Sequence, residues 1–310
     1  MRDVKKLFVL TAMFVVLGCV QKPPTPMGFG LVIQNFTTDF TQVYPGDRFT
    51  LTLTVVNQGE KTAEKIFAKL QYPSTLTGDL GQKTLANLEP GDEDYIEWSA
   101  NVPETATPGE IYRPLATLCY KYETEGYNDM FLADRRWSGT LPTLETRSTS
   151  GPIRISFDVS SPIRGDRIAS LKVTLAFLAD GFIANETTNL QVGTKDYVKS
   201  LKLTIPRVYQ DPTSKKWLIT IDDEDDTKSG IQSVDFTCTE SSDYSTYECT
   251  AEPNSLRLIN NELTARLYLN VSSTRVGLTG SYEYIARVYA TAEYQHCLQA
   301  ESAPILVLRE

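Results

Sequence analysis

One pattern occurs twice in this chain, and it constrains the fold more than any other feature. The stretch VYPGDRFTLTLTVVNQGEKTAEKIFAKLQYP (Val43–Pro73) is answered by SPIRGDRIASLKVTLAFLADGFIA (Ser161–Ala184) followed by YVKSLKLTIP (Tyr197–Pro206). Each carries Gly-Asp-Arg, an alternating run, a polar loop and a second run ending in proline. Ahead of them, Gly28–Phe36 is similar to Gly151–Val159; behind them, Asp94–Tyr122 is similar to Leu263–Tyr294. Repetition on this scale means one structural unit built twice. The second copy has a larger middle insertion, which contains Cys238 and Cys249.

The runs have period two. Phe49, Leu51, Leu53 and Val55 alternate with Thr50, Thr52 and Thr54; Leu171, Val173, Leu175 and Phe177 alternate with Lys172, Thr174 and Ala176. Ala68, Leu70 and Tyr72, and Leu267, Leu269 and Val271, follow the same rule. Alternation gives a strand one buried and one wet face, as in antiparallel sheets packed in a sandwich. Turn signals (PGD, NQG, PGD, TPG) recur between the runs at sandwich-like spacing. The expected fold is all-β, with two tandem immunoglobulin-like antiparallel β-sandwiches, at 31–150 and 151–310. The Cys…Trp…Cys framework of antibody domains is missing, so only the architecture is implied.

The run V-x-P-G-D-x-F-x-L-x-L-x-V-x-N-x-G-x-x-x-A, from Val43 to Ala63, resembles the cell-adhesion-related domain of bacteria and its S-layer-associated archaeal relatives. LANLEPGDEDYIEWSANVPETATPGEIY (Leu85–Tyr112) resembles the second half of the same modules. The resemblance implies an adhesion-like surface module and points to an archaeal source. Such modules serve as spacers, adhesins and enzyme appendages, so it implies little about a ligand. Copy two departs from the pattern: Leu178-Ala179-Asp180-Gly181 replaces Asn57-Gln58-Gly59.

The N-terminus carries its own signal. Arg2, Lys5 and Lys6 precede an apolar block, Leu7–Gly18, that ends at Cys19. The block is too short to span a bilayer core, which needs about 20 residues, but it suits the apolar part of a secretory signal peptide. Val16-Leu17-Gly18-Cys19 resembles a lipobox, which implies a lipoprotein signal peptide at 1–18 and a lipid on Cys19 as membrane anchor. Residues 19–30 follow as a proline-rich tether; polyproline II at ~3.1 Å per residue would span roughly 30 Å.

Net charge is −9, which argues against nucleic acid as a partner. Beyond Cys19, four cysteines remain: Cys119, Cys238, Cys249 and Cys297. Cys238 and Cys249 flank a short polar segment that can turn back as a hairpin, and are expected to form a disulfide. Cys119 and Cys297 fall in different copies, so their pairing stays open between a disulfide and two buried thiols.

Catalytic chemistry finds little support. The chain has one histidine, His296, so HExxH is impossible, and neither a GxSxG elbow nor a P-loop occurs. A pair of carboxylates brought together in space would not be visible in the sequence. The acidic run Asp222-Asp223-Glu224-Asp225-Asp226 reads as a solvated loop; calcium held by Asp222, Asp223, Asp225 and Asp226 is the alternative, without EF-hand spacing. Arg164-Gly165-Asp166 reads as a turn before a strand. Tyr112, Tyr120, Tyr122, Tyr127, Phe131 and Trp137 crowd the end of copy one; they read as core, with sugar or protein contact as the alternative. Asn35, Asn185 and Asn270 head N-x-S/T sequons, and Asn185, in an expected loop, is the best glycan acceptor.

The reading is a non-enzymatic, membrane-anchored cell-surface protein without cofactors, a structural or recognition module of the envelope. Its expected partners are the membrane through Cys19, other envelope proteins and glycans. The alternative is a binding subunit that presents carbohydrate, peptide or calcium to a transporter or hydrolase.

Overall fold

The computed structural model describes residues 29–165, 167–185, 190–207, 209–211, 216–217, 219–221, 234, 236–252, 255–271 and 283–309. In chain order the first half holds β1 (Leu31–Thr38), β2 (Gln42–Val43), β3 (Arg48–Asn57), β4 (Glu64–Gln71), β5 (Thr77–Asp79), β6 (Lys83–Thr84), β7 (Glu93–Asn101), β8 (Ile111–Tyr112), β9 (Leu115–Ala133) and β10 (Thr146–Ser148). The second half holds β11 (Ile153–Val159), β12 (Ile163–Arg164), β13 (Arg167–Phe177), β14 (Phe182–Ala184), β15 (Ser200–Pro206), β16 (Tyr209–Asp211), β17 (Lys216–Trp217), β18 (Ile219–Ile221), β19 (Phe236–Glu240), β20 (Thr246–Ala251), β21 (Glu262–Val271), β22 (Glu283–Glu301) and β23 (Ile305–Val307). The described residues are all-β, as the alternation requires, and the two halves are sandwiches of immunoglobulin-like kind.

The alternating runs bury the faces expected of them. Phe49, Leu51, Leu53 and Val55 of β3 are buried, as are Leu171, Val173 and Leu175 of β13 and Leu267, Leu269 and Val271 of β21. Tyr72 is the exception: β4 ends at Gln71, and Tyr72 is exposed beyond it.

The halves repeat one topology. One four-stranded sheet runs β1-β3-β7-β5 and the other runs β11-β13-β21-β18. Both face a single larger sheet whose path is β19-β20-β15-β22-β9-β4-β6. That sheet does not stop between the halves, because β9 and β22 pair antiparallel along all 19 residues of each.

Each of these two strands serves both sandwiches. The first part of β9, Leu115 to Lys121, pairs with β4 of its own half. Its far end, Leu132–Ala133, pairs in parallel with β12 of the other half. Likewise β22 pairs with β15 through Tyr289 to Glu293, and the chain beyond it, as β23, lies between β2 and β8 of the first half. Each half therefore closes with a strand supplied by the other. A pseudo-twofold axis runs through the cross-strand pair Lys121 and Gln295. Rotation about it exchanges Tyr120 with Tyr294, and the two do the same work: Tyr120 Oη accepts the Leu31 N–H at the start of β1 (2.8 Å), and Tyr294 Oη accepts the Ile153 N–H at the start of β11 (3.2 Å).

The structure closes the question that the sequence leaves open for Cys119 and Cys297. They face each other in the β9–β22 register and form a disulfide, 178 residues apart in sequence. Cys238 and Cys249 are bonded as expected, across the β19–β20 hairpin, with a separation of 11. In the chain-entropy account, the long loop makes removal of the Cys119–Cys297 bond cost about 5 kcal/mol, against about 3 kcal/mol for the short one. Urea denaturation of the two double-alanine variants measures both, and equal losses would count against this account.

Candidate functional site

Alternation along β9 sends Leu118, Tyr120 and Tyr122 into the core and the intervening residues to the outer face of the large sheet. The outer face carries Glu123, Glu125, Tyr127 and Asp129 from β9, opposite Glu293, Thr291, Tyr289 and Arg287 from β22. A groove of about 820 Å³ lies here, lined by Glu125, Tyr127, Tyr289 and Thr291 together with Glu60, Lys61, Pro90, Arg147 and Thr149. Residues of both halves contribute, so the site exists only where β9 and β22 are paired.

One wall is the loop after β3. Asn57 is fully buried and ties that loop down: its Nδ2 donates to the carbonyls of Lys61 and Leu88 (both 2.8 Å), and its Oδ1 accepts the Gly59 N–H (3.0 Å). Tyr122 adds to this by accepting the Lys61 N–H (3.1 Å) and donating to the Ser150 carbonyl (3.0 Å). At Gly59 a Cβ would collide with the Tyr122 hydroxyl, so this position requires glycine. The N-x-G of the first copy thus has a mechanical purpose. In the second copy, the carbonyl of Asp180 receives His296 instead.

The groove's charges are mostly paired. Lys61 Nζ lies 2.6 Å from Glu125, and Arg147 lies 3.5 Å from Glu60. Arg287 donates two hydrogen bonds to Asp129 (2.7 and 3.0 Å) and one to Glu145 (2.8 Å) while stacking 4.1 Å from the Tyr127 ring centroid. That contact holds the Asp129 carboxyl below its ordinary range. Glu123 moves the other way: burial raises it first and the neighbouring Glu125 next, with Glu293 adding and Lys61 opposing. The rings of Tyr127 and Tyr289 lie 6.2 Å apart, and Tyr289 is 49% exposed.

Of the aromatics singled out from sequence, Tyr112, Tyr120, Tyr122, Phe131 and Trp137 are buried, as the core reading has it; Tyr127 instead faces the groove. Tyr289, Lys61 and Arg147 were not legible as site residues. Only the outward positions of two strands far apart in sequence bring them together, and one strand's period does not reveal its partner.

His296 is a core residue. Its Nε2 faces the Asp180 carbonyl (2.6 Å), which can only accept, so that nitrogen carries the proton. Nδ1 then accepts the Tyr120 O–H (2.8 Å). Both ring nitrogens are occupied, which leaves none for a Ser–His pair. Asn35 and Asn270 lie exposed on β1 and β21. Asn185 is half-buried, and its Oδ1 accepts the Thr194 N–H (2.6 Å). Cys19, Asp166, Asp222, Asp223, Asp225 and Asp226 lie outside the described residues. Among the described residues, no group of three or more His, Cys, Asp or Glu is placed to hold a metal ion.

Residues 43–119, from β2 into β9, match the family described as NPCBM-associated, NEW3 domain of alpha-galactosidase. A comparison with curated proteins gives no match. Among solved structures, the secreted serine protease VesC from Vibrio cholerae aligns with 93% of this chain at 8% identity and a TM-score of 0.20. The chain spans 53% of that protein's length, and a likeness this faint carries no argument. Two disulfides and a match of this kind mark an extracytoplasmic protein.

Burial pushes the His296 imidazole down from 6.5 to about 4. Its folded value lies below the unfolded one, so the unfolded chain takes up the proton first. Stability is then full above about pH 6.5 and falls as pH drops toward 4, by about 3 kcal/mol in all. Urea unfolding at pH 7.5 and 4.5 should show this loss, and His296→Gln should reduce it; an unchanged slope would overturn the assignment. Asn57→Ala should cost about 2 kcal/mol, because the Lys61 carbonyl and the Gly59 N–H lose their partner, read from the same urea midpoints.

Proposed function

We propose that this chain is a non-enzymatic cell-surface recognition module, lipid-anchored at Cys19, that binds glycan chains along the outer groove of its large sheet. The groove itself carries the reading. Tyr289 offers an accessible ring for a sugar face to stack on, and Glu60, Lys61, Glu125 and Arg147 supply donors and acceptors for hydroxyls around it. Their near-balanced charge suits a neutral sugar better than an ion. The family matched by residues 43–119 is described as a domain of alpha-galactosidase, which favours an accessory that presents polysaccharide to a hydrolase. It also makes α-galactoside polymers the first ligands to try. Exposed Asn35 and Asn270, more than Asn185, are the glycan acceptors on this reading, and the outer groove stays clear of both strands.

Calorimetric titration with galactomannan and a panel of neutral polysaccharides tests the reading. One polymer should bind, and Tyr289→Ala should weaken it about tenfold, equivalent to ~1.4 kcal/mol, with an unchanged melting temperature. Binding by none of the panel, or equal binding by the variant, would reject the groove. The anchor is tested separately, by intact mass of the protein from its native membrane with and without Cys19→Ser.

A further inference from the structure

The partner that completes each half is defined by its strand, not by its covalent continuity. The first half needs the end of β22 and β23; the second needs the end of β9. We infer that a second copy of this chain fits the same surface. Two chains can trade second halves, β9 of each pairing with β22 of the other, and the Cys119–Cys297 bond is the latch that fixes which pairing a molecule keeps.

Three observations carry this. First, every interaction across the exchange is equally available between chains: the 19-residue ladder, the parallel pairs β2–β23 and β12–β9, and the Tyr120–His296 contact. The intrachain and interchain forms then differ mainly in the hinge and in the entropy of association. Second, the hinge is short. β10 is paired to β9 and stays with the first half, so only Thr149, Ser150, Gly151 and Pro152 separate it from β11. A hinge this short holds the chain in a bend at residues 150–152, which a dimer can extend to carry β11 onto the other copy. Third, the latch is singular. The pseudo-twofold carries Cys119 and Cys297 onto Glu293 and Glu123, which face each other as like charges and cannot join. The disulfide is fully buried in a cluster with Phe67, Phe182, Leu190 and Val192. A pairing set at the moment of oxidation is therefore kept.

Closing the latch removes two protons and two electrons from two thiols. In the test, oxidised glutathione accepts them by thiol–disulfide exchange and leaves as two reduced molecules. The full chain is made as two variants, Cys119→Ser and Cys297→Ser, each retaining Cys238 and Cys249. Unfolded together and refolded at high concentration in a glutathione buffer, they should give a covalent heterodimer at twice the chain mass, with Cys119 of one variant joined to Cys297 of the other in a peptide map. Absence of that crosslink between folded variants overturns the proposal. The unaltered chain gives a second reading that does not depend on the variants folding. Its disulfide-linked dimer, relative to monomer, should rise roughly tenfold for a tenfold increase in refolding concentration, by mass action. A chain that refolds as monomer at every concentration overturns the proposal as well.

Discussion

The pairing of β9 with β22 is the interaction on which the rest of the molecule depends. Nineteen residues of one half lie against nineteen of the other, and both sandwiches borrow from that ladder. Its inner side chains enter both cores: Tyr120 and Leu118 pack in the first half, while Gly126 lies directly under Ile155 of β11. Its outer side chains build the groove. A one-residue slip would turn every one of these to the wrong face, so the register must be held strongly.

Buried polar contacts hold it. Alternation excludes a slip of one residue, but a slide of two residues would keep every side chain on its own face, so the hydrophobic pattern alone does not fix the register. The hydroxyls of Tyr120 and Tyr294 each receive a specific backbone N–H from the first strand of a half. His296 then ties Tyr120 to the loop after β13, and Thr124 lies 2.7 Å from Tyr294. Sliding would leave these groups buried without partners, at a cost of about 1–3 kcal/mol each. The polar network adds little net attraction and removes the alternatives.

Much of this was legible in the sequence. Period-two runs gave strand faces at Phe49–Val55, Leu171–Leu175 and Leu267–Val271, and the repeated Gly-Asp-Arg motif announced two equivalent halves. The Cys238–Cys249 hairpin followed from proximity. What stayed hidden was long range. Nothing local in Leu115–Ala133 says that its partner lies in the other half, so the pairing of Cys119 with Cys297 stayed open. The groove stayed hidden for the same reason. Tyr127 and Tyr289 are neighbours only through a register that pairs distant positions.

The pseudo-twofold has one more consequence, for how such a protein can change. In a dimer of identical chains, each substitution at a self-paired interface appears twice, and both appearances must be tolerated. Here the two equivalent places are encoded by different codons. One could become a cystine, Cys119 with Cys297, while its mirror became facing glutamates, Glu123 with Glu293. An interface between two halves of one polypeptide is not bound by that symmetry. One side of the axis holds the two strands together, and the other presents carboxylates to whatever approaches from outside.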